Sequence, residues 1–215
     1  SGDGNNSDKS VVAVLCSRLI YDLTVNTTPA VLTEVGKNGA AEQIMYILKY
    51  FLTLDAKVVL NCCLCIWTLT NDHTVNTSHF SDAGVCSPLV QILKRYKDNK
   101  DIMFAAIGAA RSVSANHIAA RQLVTAGICE FSIAILDQCV GHIDIVEQIL
   151  GLIANVIACD TEARHLLVES GLLEKLLSCV RYSSDSHVSQ KEKPRFSLST
   201  HSLPPQAYRQ YTDSA

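Results

Sequence analysis

The chain has 215 residues, 48% of them hydrophobic, and a formal net charge of −3. This nearly balanced charge excludes the dense Lys and Arg surface that phosphate-backbone binding requires, so we expect no nucleic-acid partner. No apolar run reaches the roughly 18–20 residues that span a bilayer, so we also expect no membrane span.

In chain order, the sequence predicts an array of apolar helices between two segments that lack apolar periodicity. Residues 1–10 and the Ser- and Pro-containing tail over residues 183–215 are expected to be disordered. Residues 11–182 form the array. Its clearest predicted helices are Val11–Thr24, Ala56–Thr70, Val85–Tyr96, Asp101–Ser114, Ile118–Ala126 and Ile143–Cys159. Strand-like alternation is absent, so the predicted fold class is all-α.

A glycine recurs at nearly constant spacing along this array. The four glycines, separated by 45, 43 and 44 positions, are Gly39, Gly84, Gly127 and Gly171. Each is preceded by a short helix and followed by an apolar one. Because glycine adopts positive φ without strain, each is predicted to form a sharp turn between two helices. A longer third helix then completes each repeated unit.

Three helices per unit, with a glycine between the first and the second, resemble the armadillo repeat family. The residues that carry the resemblance are the turns Ala83-Gly84, Ala126-Gly127 and Ser170-Gly171. The resemblance implies a right-handed α-solenoid of about three to four three-helix repeats, whose units bury their apolar faces on one another. It also implies a non-enzymatic scaffold that holds a peptide or helix of a partner protein in a concave groove lined by third helices.

One segment, Trp67-Thr68-Leu69-Thr70-Asn71, is similar to the W-x-x-x-N pair of importin-α, the nuclear import adaptor. In that family the Asn holds a peptide main chain and the Trp forms a slot for Lys stems. The corresponding positions hold Ile107 and Arg111 in the next repeat, and Gly151 and Asn155 in the one after it. The predicted partner-binding residues of the groove are therefore Trp67, Asn71, Arg111 and Asn155. A core position for Trp67 and helix-end roles for both Asn residues are alternatives.

Arg111 departs from the importin-α pattern. A Lys-rich signal needs a run of Trp slots and acidic walls, whereas this groove has one Trp and an opposing Arg. General protein binding is therefore favoured over an import adaptor. Arg111 itself could pair with an acidic group of the ligand or brace a neighbouring repeat.

No set of residues in the sequence suggests catalysis, a cofactor or a metal, and we predict that the protein is not an enzyme. The motif Cys62-x-x-Cys65 lies in an apolar helix with no second pair, which favours packing over zinc binding or redox chemistry. Nine cysteines, mostly within apolar runs, are expected to act as small buried hydrophobic residues in a reducing compartment. This predicts a cytoplasmic protein, with the nucleus left open as a second location.

Two other classes of function remain open from the sequence: a regulator of a small GTPase or chaperone ATPase, and a regulatory armadillo segment of a larger protein. The units at the two ends are incomplete. The first shows only its third helix, and the last stops after its second helix near Tyr182. Unpaired apolar faces are costly, so we expect a partner, a second copy or further sequence to cover the C-terminal face.

Overall fold

The computed structural model describes residues 3–186 of the chain, with side chains over residues 8–182. These residues form α-helices joined by short connections, and they contain no strand. The helices are α1 (Asp3–Thr24), α2 (Pro29–Lys37), α3 (Ala40–Phe51), α4 (Ala56–Thr70), α5 (Thr74–Asp82), α6 (Cys86–Arg95), α7 (Lys100–Val113), α8 (His117–Thr125), α9 (Ile128–Cys139), α10 (Ile143–Cys159), α11 (Thr161–Glu169) and α12 (Leu172–Ser186).

The helices repeat in threes, as the sequence predicted. The first helices of the units are α2, α5, α8 and α11, and the second helices are α3, α6, α9 and α12. The third helices α1, α4, α7 and α10 pack side by side and form what we call the third-helix layer. Helices α4, α7 and α10 also pack on first and second helices, and α1 packs on α3, so the core runs through the whole stack.

The glycine turns are confirmed. Gly39, Gly84, Gly127 and Gly171 have φ values of 78°, 76°, 91° and 85°. An added Cβ at Gly84 would meet nothing within 4 Å, so glycine is required there for its backbone conformation and not for space. Each turn redirects the chain from a first helix to a second helix.

A second periodic feature, which we had not predicted, lies eleven positions before each glycine. The residue at that position caps the first helix with a side-chain acceptor for a backbone N–H. The four capping residues are Thr28, His73, Asn116 and Asp160. Such a cap contributes about 1 kcal/mol, and it fixes where each unit begins. Together, the cap and the glycine define a common register for all units.

The helix bounds agree with the predictions to within one residue, except at the two ends of the array. Helices α4 and α10 begin and end at the predicted residues, and α6, α7 and α8 differ from the prediction by one residue at each end. Helix α1 begins at Asp3 instead of Val11, so residues 3–10, for which we expected disorder, are helical. Helix α12 likewise includes residues 183–186 of the predicted tail, and the rest of that tail lies outside the described residues.

Helix α4 is the most deeply buried part of the third-helix layer. It packs between α1 and α7, and residues 61–70 are all buried. Three hydrogen bonds join it to α1, from Asn61 Nδ2 to the Val14 carbonyl, from Cys65 Sγ to the Ser17 carbonyl, and between the hydroxyls of Thr24 and Thr68. The polar residues of α4 are therefore satisfied internally.

In residues 3–186 no single helix has the length and apolar composition needed to cross a bilayer. Helices α8 and α9 reach that length only when taken together, and they meet at an angle of 77°.

Candidate functional site

The register set by the glycines shows which third-helix residues are equivalent. Arg111 and Asn155 each lie sixteen positions before the next glycine, and Thr68 holds that position in α4. Asn71 lies thirteen positions before its glycine, as Ser114 does, and both residues end a third helix. The alignment of Asn71 with Arg111 and Asn155 is thereby corrected, because Thr68 is their equivalent.

Trp67 lies within the interface between α4 and α7. Its side chain is 1% exposed, and its ring meets that of Phe104 edge-on with centroids 5.3 Å apart. Gly108 faces the indole so closely that an added Cβ would lie 2.5 Å from a ring carbon. The core alternative therefore applies to Trp67, because its indole has no exposed face for a bound Lys stem.

Asn71 has a helix-end role. Its backbone N–H donates to the Trp67 carbonyl over 2.9 Å, and its Nδ2 donates to a carboxylate oxygen of Asp72 over 3.2 Å. The residue is half-buried and adopts an extended conformation where α4 ends. It is separated along α4 from the position that Arg111 and Asn155 share.

Arg111 and Asn155 meet between α7 and α10. The half-buried Arg111 side chain crosses Gly151, where an added Cβ would lie 2.6 Å from the guanidinium carbon. One terminal nitrogen of Arg111 donates to Gln148 Oε1 over 3.2 Å. Gly151 therefore provides the space in which the guanidinium lies, and Gln148 holds one edge of it. We call Arg111, Gln148, Gly151 and Asn155 the α7–α10 polar site.

Asn155 links α10 to the end of α7. Its Nδ2 donates over 3.0 Å to both the Arg111 carbonyl and the Ser114 hydroxyl oxygen. Because a carbonyl can only accept, this contact fixes the orientation of the Asn155 amide. Its Oδ1 receives no protein donor and is not among the buried unpaired atoms of the described chain, so it is accessible to solvent.

The guanidinium of Arg111 has no carboxylate within 4.0 Å in the described part of the chain. Its remaining N–H groups are also not buried without a partner, since the one such side-chain atom in these residues is Asn76 Oδ1. The Arg111 guanidinium is therefore a half-buried positive charge with open donors. It can donate hydrogen bonds to a negatively charged or strongly polar group of a ligand.

Sequence analysis identified Arg111 and Asn155 but missed Gln148 and Gly151. Gly151 had been assigned to the position of the importin-α Trp, so its function as a space for Arg111 was not considered. Counting back from the glycine turns shows that Gln148 and Phe104 hold equivalent positions in their units. That count would not have shown which residue contacts Arg111.

The cysteines fall into two groups. Six are buried, whereas Cys16 is exposed and Cys159 and Cys179 are half-buried. Burial raises the pKa of Cys62 and of Cys86 to about 12, and it raises the pKa of Cys65 well above its usual value. Such thiols stay protonated near neutral pH, which fits packing and opposes thiolate chemistry. No cluster of three potential metal ligands occurs among the described residues.

The second helix of the last unit leaves an apolar face open. Leu173, Leu177 and Val180 of α12 are 55–61% exposed. The residues at the same distances from the glycine in α3 are Ala41, Met45 and Leu48, and all of these are buried. In α3 this face packs on the third helix of its own unit. The described residues contain no such helix for the last unit.

Comparison with solved structures defines the class of protein. An engineered protein superposes with a TM-score of 0.67 at 17% identity, covering 77% of this chain and 64% of that chain. A designed armadillo repeat protein in complex with the peptide (KR)4 gives 0.65 at 18% identity, covering 83% of this chain and 69% of that one. A further designed armadillo repeat protein gives 0.65 at 20% identity, covering 77% and 66%. The chain spans about two thirds of the length of these proteins.

These similarities establish the predicted fold, an all-α right-handed solenoid of armadillo type. Residues 3–187 match the family described as "Protein zer-1 homolog-like, C-terminal domain". The chain therefore belongs to that family. None of the curated proteins compared with it matches by sequence.

Proposed function

We propose that this protein is a non-enzymatic binding module that holds an extended peptide segment of a partner protein against the third-helix layer, at the α7–α10 polar site. The observation that carries the proposal is the open hydrogen-bonding capacity of this site. Arg111 has free N–H donors and Asn155 has a free Oδ1 acceptor, on the face of a fold whose stacked repeats create extended binding surfaces.

A bound main chain offers the complement of these groups. A peptide N–H can donate to Asn155 Oδ1, and a carbonyl or acidic side chain can accept from Arg111. The site therefore supplies both a donor and an acceptor, which is what an extended segment without internal hydrogen bonds requires. The four residues first predicted for the groove thus contribute unequally: Arg111 and Asn155 are central, Asn71 is peripheral, and Trp67 supports the layer from within.

An import-adaptor function draws less support. The designed neighbour whose bound peptide is (KR)4 shares the fold, but in this chain Arg111 would repel Lys and Arg side chains at the α7–α10 polar site. Nothing in the described residues favours regulation of a GTPase or ATPase. The free cysteines support a reducing location, and we retain the cytoplasm as our proposal.

Site-specific photocrosslinking tests the proposal. A photoreactive residue placed at Ala158, which is exposed and lies one turn beyond Asn155 on α10, should form crosslinks to a captured partner. The matched control is Tyr46 on α3, which is 71% exposed on a second helix. Mass spectrometry of the crosslinked peptides identifies the partner segment. Crosslinks from Tyr46 but none from Ala158 would remove the third-helix layer from the binding function.

A further inference from the structure

The charge of the α7–α10 polar site indicates which chemical group of a peptide segment this site binds. We infer that Arg111 binds a carboxylate, so that the partner segment is selected for an acidic residue. This inference rests on the proposed function, because it specifies the chemistry recognised by the same face.

The first argument is charge balance. Among the described residues, two other arginines lie within 4.0 Å of carboxylates, Arg18 near Asp22 and Arg121 near Asp160. Arg111 is placed deeper, between α7 and α10, yet its one side-chain partner is the neutral Gln148. A partly desolvated guanidinium gains more from a carboxylate than an exposed one does, because screening by water is weaker there.

The second argument is geometry. A guanidinium is a planar fork that offers paired N–H groups to the two oxygens of a carboxylate. Gln148 occupies one terminal nitrogen, and Gly151 lets the plane lie close to α10. The other N–H groups remain for a ligand. Asn155 Oδ1, on the same helix as Gly151, can accept a main-chain N–H of the segment that carries the acidic residue.

The third argument excludes other ligand groups. A lysine or arginine side chain would meet the positive charge of Arg111. A phosphate carries nearly two negative charges and is generally bound by several basic residues, whereas the immediate neighbours of Arg111 are the neutral residues Gln148, Gly151 and Asn155. A singly charged carboxylate matches one guanidinium. Its source is either an Asp or Glu side chain or the C-terminus of a chain.

NMR of the arginine side chains tests the assignment directly. The Nε–H signals of the ¹⁵N-labelled chain are assigned by the loss of one signal in Arg111→Lys and followed during peptide titration. The probe is the pentapeptide Gly-Ser-Glu-Ser-Gly, acetylated and amidated. The matched peptides carry Gln, Lys or phosphoserine in place of Glu, and a neutral peptide with a free C-terminus tests the second source of carboxylate.

We expect the Arg111 signal to shift with the Glu peptide and to require about tenfold more of the Gln peptide, as for loss of a charge-assisted hydrogen bond. In the arginine variants the titration is followed through the Asn155 side-chain amide signal, because Arg111→Gln lacks the Arg111 signal. Arg111→Gln should remove this preference, whereas Arg95→Gln should keep it, because Arg95 is an exposed arginine that donates to the Thr53 carbonyl. Arg111→Lys should retain only part of it, since the planar fork is lost. Thermal unfolding by circular dichroism confirms that each variant is folded.

The outcomes separate the inference from the proposed function. Equal binding of the Glu and Gln peptides, no shift of the Arg111 signal with either carboxylate source, or preference for phosphoserine would overturn the inference. A shift with the neutral peptide of free C-terminus alone would also overturn it, because Arg111 would then select a chain end and not an acidic residue. If crosslinks from Ala158 form while the Glu and Gln peptides bind equally, the binding face stands and carboxylate selection fails.

Discussion

Between α4 and α7, the indole of Trp67 packs against Phe104 and Gly108, while between α7 and α10 the guanidinium of Arg111 lies over Gly151. In both interfaces a large side chain reaches across to a glycine of the next third helix. The apolar ring fills its space and is sealed from solvent. The charged group fills a similar space but leaves N–H donors exposed, so the same packing arrangement gives stability in one place and binding capacity in the other.

The hydrogen bonds show the same difference. The polar groups of α4 that face α1 bond within the layer, as Asn61 does to the Val14 carbonyl. Asn155 also bonds within the layer through Nδ2, but its Oδ1 stays open. Binding needs hydrogen-bonding groups that are open to a ligand, whereas folding needs buried polar groups that are already paired. We therefore assign the stabilising role to the α4–α7 interface and the binding role to the α7–α10 interface.

The largest effect on stability should come from removing the buried side chain of Trp67. We expect Trp67→Ala to lower the free energy of unfolding by about 3–5 kcal/mol, because it leaves a cavity in a tightly packed interface. Arg111→Gln, which changes a half-buried polar residue, should cost less than about 1 kcal/mol. Urea unfolding followed by circular dichroism gives both values. Similar losses for the two variants would contradict the division of roles between the interfaces.

Gly108 and Gly151, which face Trp67 and Arg111, provide a matched pair of positions for substitution. In Gly108→Ala the new methyl group would meet the packed Trp67 ring, which cannot move freely, and we expect a loss of about 1–3 kcal/mol. In Gly151→Ala it would meet the flexible end of Arg111, and the better helix propensity of Ala offsets that contact by about 0.5–1 kcal/mol. Stability should therefore change little, while the Arg111 NMR signal moves. A large loss in Gly151→Ala would show that this interface is as tightly packed as the other.

Buried thiols make the sealed region sensitive to alkali. In the unfolded chain a Cys thiol ionises near its ordinary pKa of 9.0, whereas in the folded protein Cys62 stays protonated to about 12. Above pH 9 the unfolded state therefore binds fewer protons than the folded state, and the free energy of unfolding falls as pH rises. The slope is at most about 1.4 kcal/mol per pH unit for each such thiol.

Comparison of Cys62→Ala with Cys179→Ala isolates this effect. Urea unfolding at pH values from 8 to about 10.5 should show a shallower decline in Cys62→Ala than in the unchanged chain. Cys179 is half-buried and its pKa is raised less, so Cys179→Ala should leave the decline nearly unchanged. Equal slopes for the two variants would indicate that Cys62 ionises in the folded protein near its ordinary pKa despite its burial.

The glycine spacing and the apolar helices between the glycines were sufficient to predict the solenoid, because each unit repeats the same turn and the same buried columns. The environment of Trp67 could not be derived in this way. A third helix has apolar residues on several sides, and periodicity does not show which side meets a neighbour and which meets solvent. The position of α1 and α7 against α4 decides that question.

The alignment of Asn71 with Arg111 shows a different difficulty. Matching W-x-x-x-N letters placed Asn71 in the column of Arg111 and Asn155, although counting back from the glycine gives Thr68. The helix cap and the glycine fix the register, whereas a short motif near a helix end shifts easily by three residues. The use of Gly151 as a space for Arg111 depends on a contact between two units, so no pattern within one unit could reveal it.

The smallest effect on stability is expected at the open face of α12. At low protein concentration, Leu177→Lys should change the free energy of unfolding by no more than about 0.5 kcal/mol, because Leu177 is already exposed. Met45→Lys, at the equivalent position of α3, should be strongly destabilising because it places a charge in the core.

Comparing Leu177→Lys with the unchanged chain tests one of the three coverings that we expected for this face, a second copy of the chain. Light scattering at increasing concentration should show a rising mass for the unchanged chain and a constant mass for Leu177→Lys, since a lysine interrupts the apolar stripe formed with Leu173 and Val180. A constant mass for both chains would contradict self-association through α12. A large loss of stability in Leu177→Lys at low concentration would instead show that another part of the same chain covers the face, because contacts within one chain do not depend on concentration.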